Sequence, residues 1–422
     1  MIVSCKLSRT MLPFGAFVAC NPPEGPATSS PPTYLSDRRG EGQRHVYEHR
    51  RENGENVLTV LLDSVASQAN RLESALSDVL AERGIHVPQL TVDFGGKRSE
   101  LTVQTDGKVS KIAFGRGAAY DLSDIGRLTS LDVPHRVYDA IFRDSEIVEN
   151  KKAIPFRESS VFAALKMVKP QNATALFGIS PTALLFGAWD STGSGGGLGA
   201  KFARSITSEI VGIGVSGKVD RNADIEPDGK RVGSRLDPLG IRADARVSGD
   251  ASNWTIAVGE KNEKPENPSA VNHSNIPPTV SLAGTSVAYV KHTVVLTCAG
   301  LRRLKFPGTS NAAAGRAVLA ALGLIAALAQ DRAGYALRSR CDLVPDGPSL
   351  FEVVHTDGST EALDMDLEAA IDTYRQAVQS ARNAGFPWND APTALQPQEK
   401  LVQLVALSRA RALAGEPEGD GS

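Results

Sequence analysis

Aromatic residues, cysteines, long apolar runs and net charge are all scarce in this sequence. Aromatic residues make up only 5% of 422 residues, which argues against many base-stacking platforms. No apolar run is long enough to span a membrane, and the longest, Ala317–Ala329, is predicted to be a buried helix. The cysteines have no metal-ligand spacing, so reduced intracellular thiols are favoured over a disulfide framework. They are Cys5, Cys20, Cys298 and Cys341.

The net charge of −2 hides a strong asymmetry along the chain. A nucleic-acid binder is usually basic, because phosphate contacts dominate its affinity. Residues 281–345 hold eight Lys and Arg and two Asp, which gives 8 − 2 = +6. Residues 346–422 hold five Lys and Arg and thirteen Asp and Glu, which gives 5 − 13 = −8. The basic stretch is therefore where an anionic partner is expected.

Composition divides the chain into a core and three peripheral segments. Residues 1–30 are rich in Pro, Ser and Gly and are predicted to be a disordered N-terminal extension. Their apolar stretch Met11–Cys20 also resembles a weak secretory or lipoprotein signal, which leaves a secreted or lipid-anchored binding protein as an alternative. Residues 217–280 are predicted to be a weakly packed insertion and 415–422 a disordered tail. The core is expected over 31–216 and 281–414.

Helices and strands are both predicted, so the fold class is α+β. Strands are expected at 57–62 and 287–296. A helix should begin at Asp63 as N-cap and end at Gly84, and a second should cover 133–145. Further helices are predicted at 316–330, buried, and at 363–384, ended by Gly385.

The motifs that would carry catalysis are incomplete. The glycine-rich loop 191–199 could follow a nucleic-acid backbone, but Ala200 separates Gly199 from Lys201, so the phosphate-binding loop of nucleotide triphosphatases is not formed. The seven histidines are scattered, and no nucleophile elbow occurs. We therefore predict no catalytic residues, no metal site, no cofactor and no enzyme activity.

Two basic clusters lie inside the +6 stretch. One is Arg302, Arg303 and Lys305 in GLRRLKFP (300–307), and the other is Arg338 and Arg340 in LRSRCDLVP (337–345). Alternation predicts both arginines of the second cluster on one face of a strand. Each arginine alone is typical of a salt-bridged surface, but two clusters together favour an anionic polymer, since guanidinium groups fit phosphate oxygens.

Seven segments together resemble one protein family. They are PPTY (31–34), LLDSVASQANRLE (61–73), LDVPHRVYDAIFRDS (131–145), SPTALLFGAWDSTGSGGGLGAKFARSITSEIVG (180–212), SRLDPLG (234–240), GLRRLKFP and LRSRCDLVP. They occur in the order found in the backbone subunit of type I-G (formerly I-U) CRISPR Cascade complexes, a Cas-seven-type member of the RAMP superfamily. The resemblance covers roughly residues 31–345.

The resemblance implies a fold and a set of partners. The fold would be an RNA-recognition-motif (ferredoxin-like) core with large insertions described as palm, fingers and thumb, and 217–280 is the candidate thumb. Copies of the chain would form a helical oligomer on the spacer part of a guide RNA (crRNA), beside other Cascade subunits. Target DNA would be recognised by base pairing with the guide, while the protein would bind the nucleic-acid backbone. This implies cytoplasmic antiviral defence by DNA interference, without a membrane.

Residues for RNA binding are also implied by the resemblance. Gln68, Asn70 and Arg71 follow the first strand, where this family's palm usually touches RNA, and His135, Arg136, Lys201 and Arg204 lie in matching segments. With the two basic clusters they make up the predicted RNA-binding set. A competing hypothesis is a metal-dependent, guide-directed ribonuclease that uses Asp190, since type III relatives cut target RNA with a loop aspartate. Attraction between the +6 and −8 stretches of neighbouring copies could drive head-to-tail assembly.

Overall fold

The computed structural model describes residues 2–14, 28–29, 45–106, 109–114, 118–190, 201–216, 230–235, 241, 244–250, 253–257, 264–271, 276–282, 285–338 and 341–413. Helices and strands alternate along most of this chain, which confirms the α+β class. The helices are α1 (Val65–Glu82), α2 (Ala140–Arg143), α3 (Ser160–Lys166), α4 (Thr174–Ile179), α5 (Pro181–Phe186), α6 (Cys298–Arg303), α7 (Ala312–Ala333), α8 (Leu367–Asn383) and α9 (Glu399–Leu413).

The strands range from two to thirteen residues. They are β1 (Ile2–Phe14), β2 (Thr28–Ser29), β3 (Tyr47–Glu52), β4 (Glu55–Asp63), β5 (Leu90–Asp93), β6 (Arg98–Asp106), β7 (Val109–Phe114), β8 (Ala118–Asp121), β9 (Arg127–Thr129), β10 (Ser145–Glu149), β11 (Lys152–Pro155), β12 (Ala188–Trp189), β13 (Lys201–Phe202), β14 (Ile206–Ile213), β15 (Lys230–Arg235), β16 (Val247–Asp250), β17 (Asn253–Ile256), β18 (Ile276–Leu282), β19 (Thr285–Ser286), β20 (Tyr289–Thr297), β21 (Tyr335–Arg338), β22 (Cys341–Pro345), β23 (Leu350–His355), β24 (Thr360–Ala362) and β25 (Thr393–Pro397).

A nine-stranded sheet forms the centre of the described structure. Its main order is β21-β22-β1-β20-β14-β4-β3, and β23 joins β1 and β24. Buried and half-buried residues alternate along β20, so Val290, His292, Val294 and Leu296 point inward. The predicted strands at 57–62 and 287–296 are thus confirmed as β4 and β20. A second sheet has the order β11-β10-β25-β5-β9.

The connectivity of the central sheet contains one split β-α-β unit. β1 lies between β20 and β22 and is antiparallel to both, while α6 and α7 connect those two strands. In contrast, α1 follows β4, and β14 pairs directly beside β4 in antiparallel orientation. A ferredoxin-like sheet requires two interleaved units, so the RNA-recognition-motif core remains a prediction.

The N-terminal segment is where the disorder prediction is wrong. Residues 2–14 form β1, which pairs with β20 on one side and with β22 and β23 on the other. Composition did not show this because a central strand is stabilised by backbone hydrogen bonds to partners almost 300 residues away in the chain. The rest of the 1–30 segment, apart from β2, lies outside the described residues.

The main hydrophobic core lies between the sheet and a layer of helices. α7 packs against α1, α8 and β20, and Gly323 allows it to approach Leu296 closely. By length and composition α7 could span a membrane, but 61% of its apolar window is buried in the protein, as in the core helix of a soluble fold. The predicted buried helix at 316–330 is thus confirmed, and the predicted helix at 363–384 is α8, which starts later, with Asp366 as its N-cap.

Two helix predictions need correction. The N-cap of α1 is Ser64, whose hydroxyl oxygen accepts a hydrogen bond from the amide of Ser67, and not Asp63. The helix predicted over 133–145 is reduced to a short turn followed by α2. Arg136 has a φ of 49°, and the Asp139 side chain caps α2. Both features break the helix because a left-handed residue and a new cap interrupt its hydrogen bonding.

Candidate nucleic-acid interface

The segment Lys201–Arg204 separates two cavities. One, of about 390 Å³, is also lined by His135, Gly187 and Trp189. The other, of about 280 Å³, is also lined by Thr297, Gly300 and Arg303. None of the described residues that line either cavity is acidic. We call the strip formed by His135, Trp189, Lys201, Arg204 and Arg303 the basic groove.

A short hairpin positions the middle of the basic groove. β12 and β13 pair antiparallel, so that Ala188 lies opposite Phe202 and Trp189 opposite Lys201. Phe202 is 4% exposed and anchors the hairpin in the core, whereas Lys201 and Trp189 point the other way, as alternation along a strand requires. The Lys201 ammonium lies 5.6 Å from the centre of the Trp189 ring. The glycine-rich loop that joins the two strands lies outside the described residues.

Gly187 allows the hairpin to approach the segment before it. Its φ is 84°, and a Cβ atom there would lie 2.9 Å from the carbonyl oxygen of Phe202 and 3.1 Å from the amide nitrogen of Arg204. Both the backbone angle and the space therefore require glycine. A side chain at this position would push Arg204 out of the groove.

Arg136 and Glu73 form a buried ion pair beneath the groove. Nε and Nη2 of Arg136 each donate to a Glu73 carboxylate oxygen at 2.6 Å, and Nη1 donates to the carbonyl oxygen of Gly187 at 3.0 Å. The side chains are 9% and 4% exposed. Burial raises the pKa of Glu73, although Arg136 opposes this effect. The predicted RNA contact at Arg136 is thus corrected, because its guanidinium is engaged in holding Gly187.

Arg204 and His135 reach the surface above this pair. Both side chains are exposed. Partial burial, and next the Arg136 guanidinium, lower the pKa of Arg204, while Glu73 acts in the opposite direction. Arg204 therefore contributes a partly desolvated cation to the groove.

The GLRRLKFP segment forms the far side of the groove. It begins within α6, where the Thr297 hydroxyl accepts a hydrogen bond from the Gly300 amide. Arg303 and Lys305 are exposed and Arg302 is half-buried. The backbone of Lys305 is fixed on both sides, since its amide donates to Pro170 at 2.7 Å and its carbonyl accepts from Ala173 at 2.9 Å. The cations therefore extend from a rigid backbone.

A second cationic group surrounds the buried carboxylate of Asp63. Arg71 Nε lies 3.0 Å from one Asp63 oxygen, and Arg338 Nη2 lies 3.3 Å from the other. The same guanidinium groups donate to the carbonyl oxygens of Leu337 and Leu62, respectively, both at 2.6 Å. This arrangement ties β21 to the end of β4. About a third of each arginine side chain stays exposed, which leaves surface for a phosphate.

Gln68 belongs to the interior beside this group. It is fully buried, its amide nitrogen donates to Asp63, and its amide oxygen accepts from Ser208 and Gln330. The prediction that Gln68 contacts RNA is therefore corrected, because it has no surface to offer. Asn70, two residues further along α1, is exposed.

The predicted common face of Arg338 and Arg340 falls partly outside the described residues. Arg338 is the last residue of β21, and β22 begins at Cys341. Arg340 itself is not among the described residues, so its position on the same face stays a prediction.

Asp190, proposed for the ribonuclease alternative, is half-buried at the end of β12. Burial, and secondarily the charge of Asp190, raise the pKa of Tyr138. Within the part of the chain that the structure describes, no three His, Cys, Asp or Glu side chains gather closely enough to hold a metal ion.

Comparison with known proteins bears on most of this site. Residues 18–217 match the family model for CRISPR-associated protein GSU0053. The match supports a CRISPR-associated (Cas) protein and a role in a CRISPR system. No curated protein is significantly similar to the chain. The matched range contains the β12–β13 hairpin and the Arg136–Glu73 pair, but not Arg303.

Sequence reasoning assembled part of the groove and missed two residues. His135, Lys201, Arg204 and Arg303 were predicted, and the structure places them along one strip. Trp189 and Gly187 were missed, although both lie in the quoted segment 180–212. Because aromatic residues are scarce, the sequence did not indicate a role for Trp189. A single glycine before a strand likewise does not indicate a close contact between Gly187 and Arg204.

Proposed function

We propose that the protein is a backbone subunit of a type I-G CRISPR Cascade complex that binds the spacer part of a guide RNA along its phosphate backbone. The observation that carries the proposal is the acid-free strip of Lys201, Arg204 and Arg303 beside exposed His135. Cations held on a fixed backbone, without acidic neighbours in the same cavities, suit a polyanion. The match to a CRISPR-associated family supports the same choice of polyanion.

Backbone binding is favoured over base recognition by the types of side chain present. Arginine and lysine neutralise phosphates whatever the sequence, whereas the edges of adenine and cytosine are typically read by amide and carboxylate groups. None of the described residues lining the two cavities is Asn, Gln, Asp or Glu. A subunit that must accept any spacer sequence has to bind RNA without sequence preference, because the target is recognised by pairing with the guide.

The proposal extends to the assembly that such a subunit would serve. Several copies would line up as a helical oligomer on one guide RNA, with other Cascade subunits at its ends and target DNA paired to the guide. The protein would act in the cytoplasm, without a membrane and without catalysis of its own. A family model for a CRISPR-associated protein supports this setting, and no described contact favours the ribonuclease alternative.

Charge reversal in the groove is the direct test. Lys201, Arg204 and Arg303 are changed to Glu in the full chain, and binding to a guide-length RNA is measured by fluorescence anisotropy across a range of salt concentrations. The wild type should lose about 0.7 log units of affinity per log unit of salt for each phosphate contacted. The variant should bind more weakly and with a smaller slope.

A matched control separates the groove from overall charge. Lys97, Arg127 and Lys152 lie on or beside the second sheet and line neither cavity. Changing all three to Glu alters the net charge by the same amount as the groove variant does. This control should retain most of the affinity. The proposal fails if both variants lose the same affinity, or if wild-type binding does not depend on salt.

A further inference from the structure

An exposed tryptophan lies inside the basic groove. The side chain of Trp189 is 54% exposed, although its neighbours Ala188 and Phe202 are buried. Many of the other large rings among the described residues fill the core, as the contacting cluster of Phe177, Phe306 and Phe386 does. Single exposed hydrophobic residues need no explanation, but this ring forms part of a cavity wall.

The cavity beside Trp189 has the size and chemistry for a flat ring. Its volume of about 390 Å³ lies in the range of small-molecule sites, and it is lined by Trp189, Pro134, Phe186 and the exposed imidazole of His135. Arg136 contributes to the floor, but Glu73 and Gly187 occupy its donors. The polar groups left at the rim are cationic, namely Lys201 and Arg204.

Lys201 and Trp189 lie close enough together to bind the phosphate and the base of one nucleotide. The ammonium lies over one face of the indole, 5.6 Å from the ring centre, so a stacked base needs the opposite face. A nucleobase that stacks on this ring would bring its own phosphate within reach of Lys201. Every base has a π-face, so such a contact tolerates any spacer sequence.

We propose that the cavity between Trp189 and His135 receives one nucleobase of single-stranded RNA, stacked on the Trp189 indole, while Lys201 and Arg204 bind the flanking phosphates. The inference rests on the proposed guide-RNA function and adds a base contact to it. Backbone binding alone does not require this pocket.

The experiment compares Trp189→Ala, Trp189→Phe and wild type with two probes. One probe is a uridine oligonucleotide of about 12 residues, within the range of single-strand site sizes. The other has the same length and ribose-phosphate backbone but no bases. Trp189→Ala should weaken binding of the uridine probe roughly 5- to 100-fold, and Trp189→Phe should retain most of it. Wild type should prefer the uridine probe by a similar factor, and Trp189→Ala should lose that preference.

Trp254→Ala is the matched control, since Trp254 is also exposed, at 40%, but does not line the groove. It should bind both probes as wild type does. In a Trp254→Phe background, the uridine probe should quench tryptophan emission, and adding Trp189→Phe should remove that quenching.

The outcomes separate this inference from the function on which it rests. If wild type binds neither probe in a salt-dependent way, the proposed function fails. If wild type binds both probes equally and Trp189→Ala changes nothing, only the base pocket is overturned. Quenching that appears with rising protein concentration and no RNA would assign Trp189 to a contact between copies and would also overturn the inference.

Discussion

Removing Arg136 should destabilise the protein strongly, because Glu73 would be left as a buried and unpaired charge. The two side chains are 9% and 4% exposed and share two hydrogen bonds of 2.6 Å. Breaking a buried ion pair on one side typically costs about 3–5 kcal/mol. Total stabilities are about 5–15 kcal/mol, so Arg136→Met should lose a large part of the free energy of unfolding. The loss of the bond to Gly187 adds to this cost.

The same variant should respond to pH in a defined direction. Burial already raises the pKa of Glu73 above 4.5, and Arg136 is the main group that opposes this. In Arg136→Met the folded-state pKa of Glu73 should rise further. A carboxyl group whose folded pKa is raised favours the folded state when protonated, and that contribution is lost as pH rises through the folded pKa. The difference in stability between variant and wild type should therefore shrink as pH falls from neutrality toward 4.5.

Urea unfolding followed by circular dichroism measures both effects. The control is the double variant Glu73→Met, Arg136→Met, which removes both charges and keeps the volume. Replacing a buried pair by apolar groups is often neutral or stabilising, so the double variant should recover most of the loss. An Arg136→Met variant within about 0.5 kcal/mol of wild type would refute the pair's structural role and return Arg136 to the candidate RNA contacts.

Three other substitutions or deletions have outcomes that follow from single features. Gly187→Ala should lower the free energy of unfolding by more than the roughly 1–2 kcal/mol that a left-handed alanine costs, because its Cβ would also clash with Phe202. Gly84→Ala is the control, since its Cβ would meet nothing within 4 Å and it should show the backbone cost alone. Thermal unfolding of the two variants measures the difference. Deleting residues 2–10 removes most of β1 and should abolish cooperative unfolding; a sharp transition would contradict the central position of that strand. Asp190→Ala should leave guided cleavage of RNA absent, as in wild type, with magnesium or manganese; cleavage that the substitution abolishes would favour the ribonuclease.

The elements that sequence predicted well are those whose signals are local. β4, β20 and α7 each have a run of apolar residues of the right length, and the burial of α7 follows from its near-continuous apolar composition. β1 has no such local signal in its own sequence. Its stability comes from neighbours at 290–297 and 341–355, and composition windows do not contain that information. The N-cap of α1 was predicted wrongly for a similar reason, since Asp63 has a more favourable use as a buried ion partner.

The candidate site shows the same division. Charged residues such as Lys201, Arg204 and Arg303 could be named from sequence because residue type alone suggests phosphate. Which of them is free to act depended on contacts that no spacing reveals. His135 and Arg136 are adjacent in sequence, yet one is exposed and the other lies in the core beside Glu73. A left-handed φ at Arg136 turns the chain between them, and the buried pair holds that conformation.

The charge asymmetry between 281–345 and 346–422 does not translate into two opposite poles of the fold. α8 from the acidic stretch packs directly on α7 from the basic stretch, so both contribute to one core. Two acids of the −8 stretch already have contacts within the chain: Asp366 caps α8, and Glu368 pairs with Arg83 at 2.6 Å. Attraction between copies through these acids would first have to break those contacts. Exposed pairs are worth at most about 1 kcal/mol each, so an exchange of one for another yields little net attraction. In the proposed assembly along a guide RNA, the RNA itself would therefore bring the basic grooves of successive copies onto one strand.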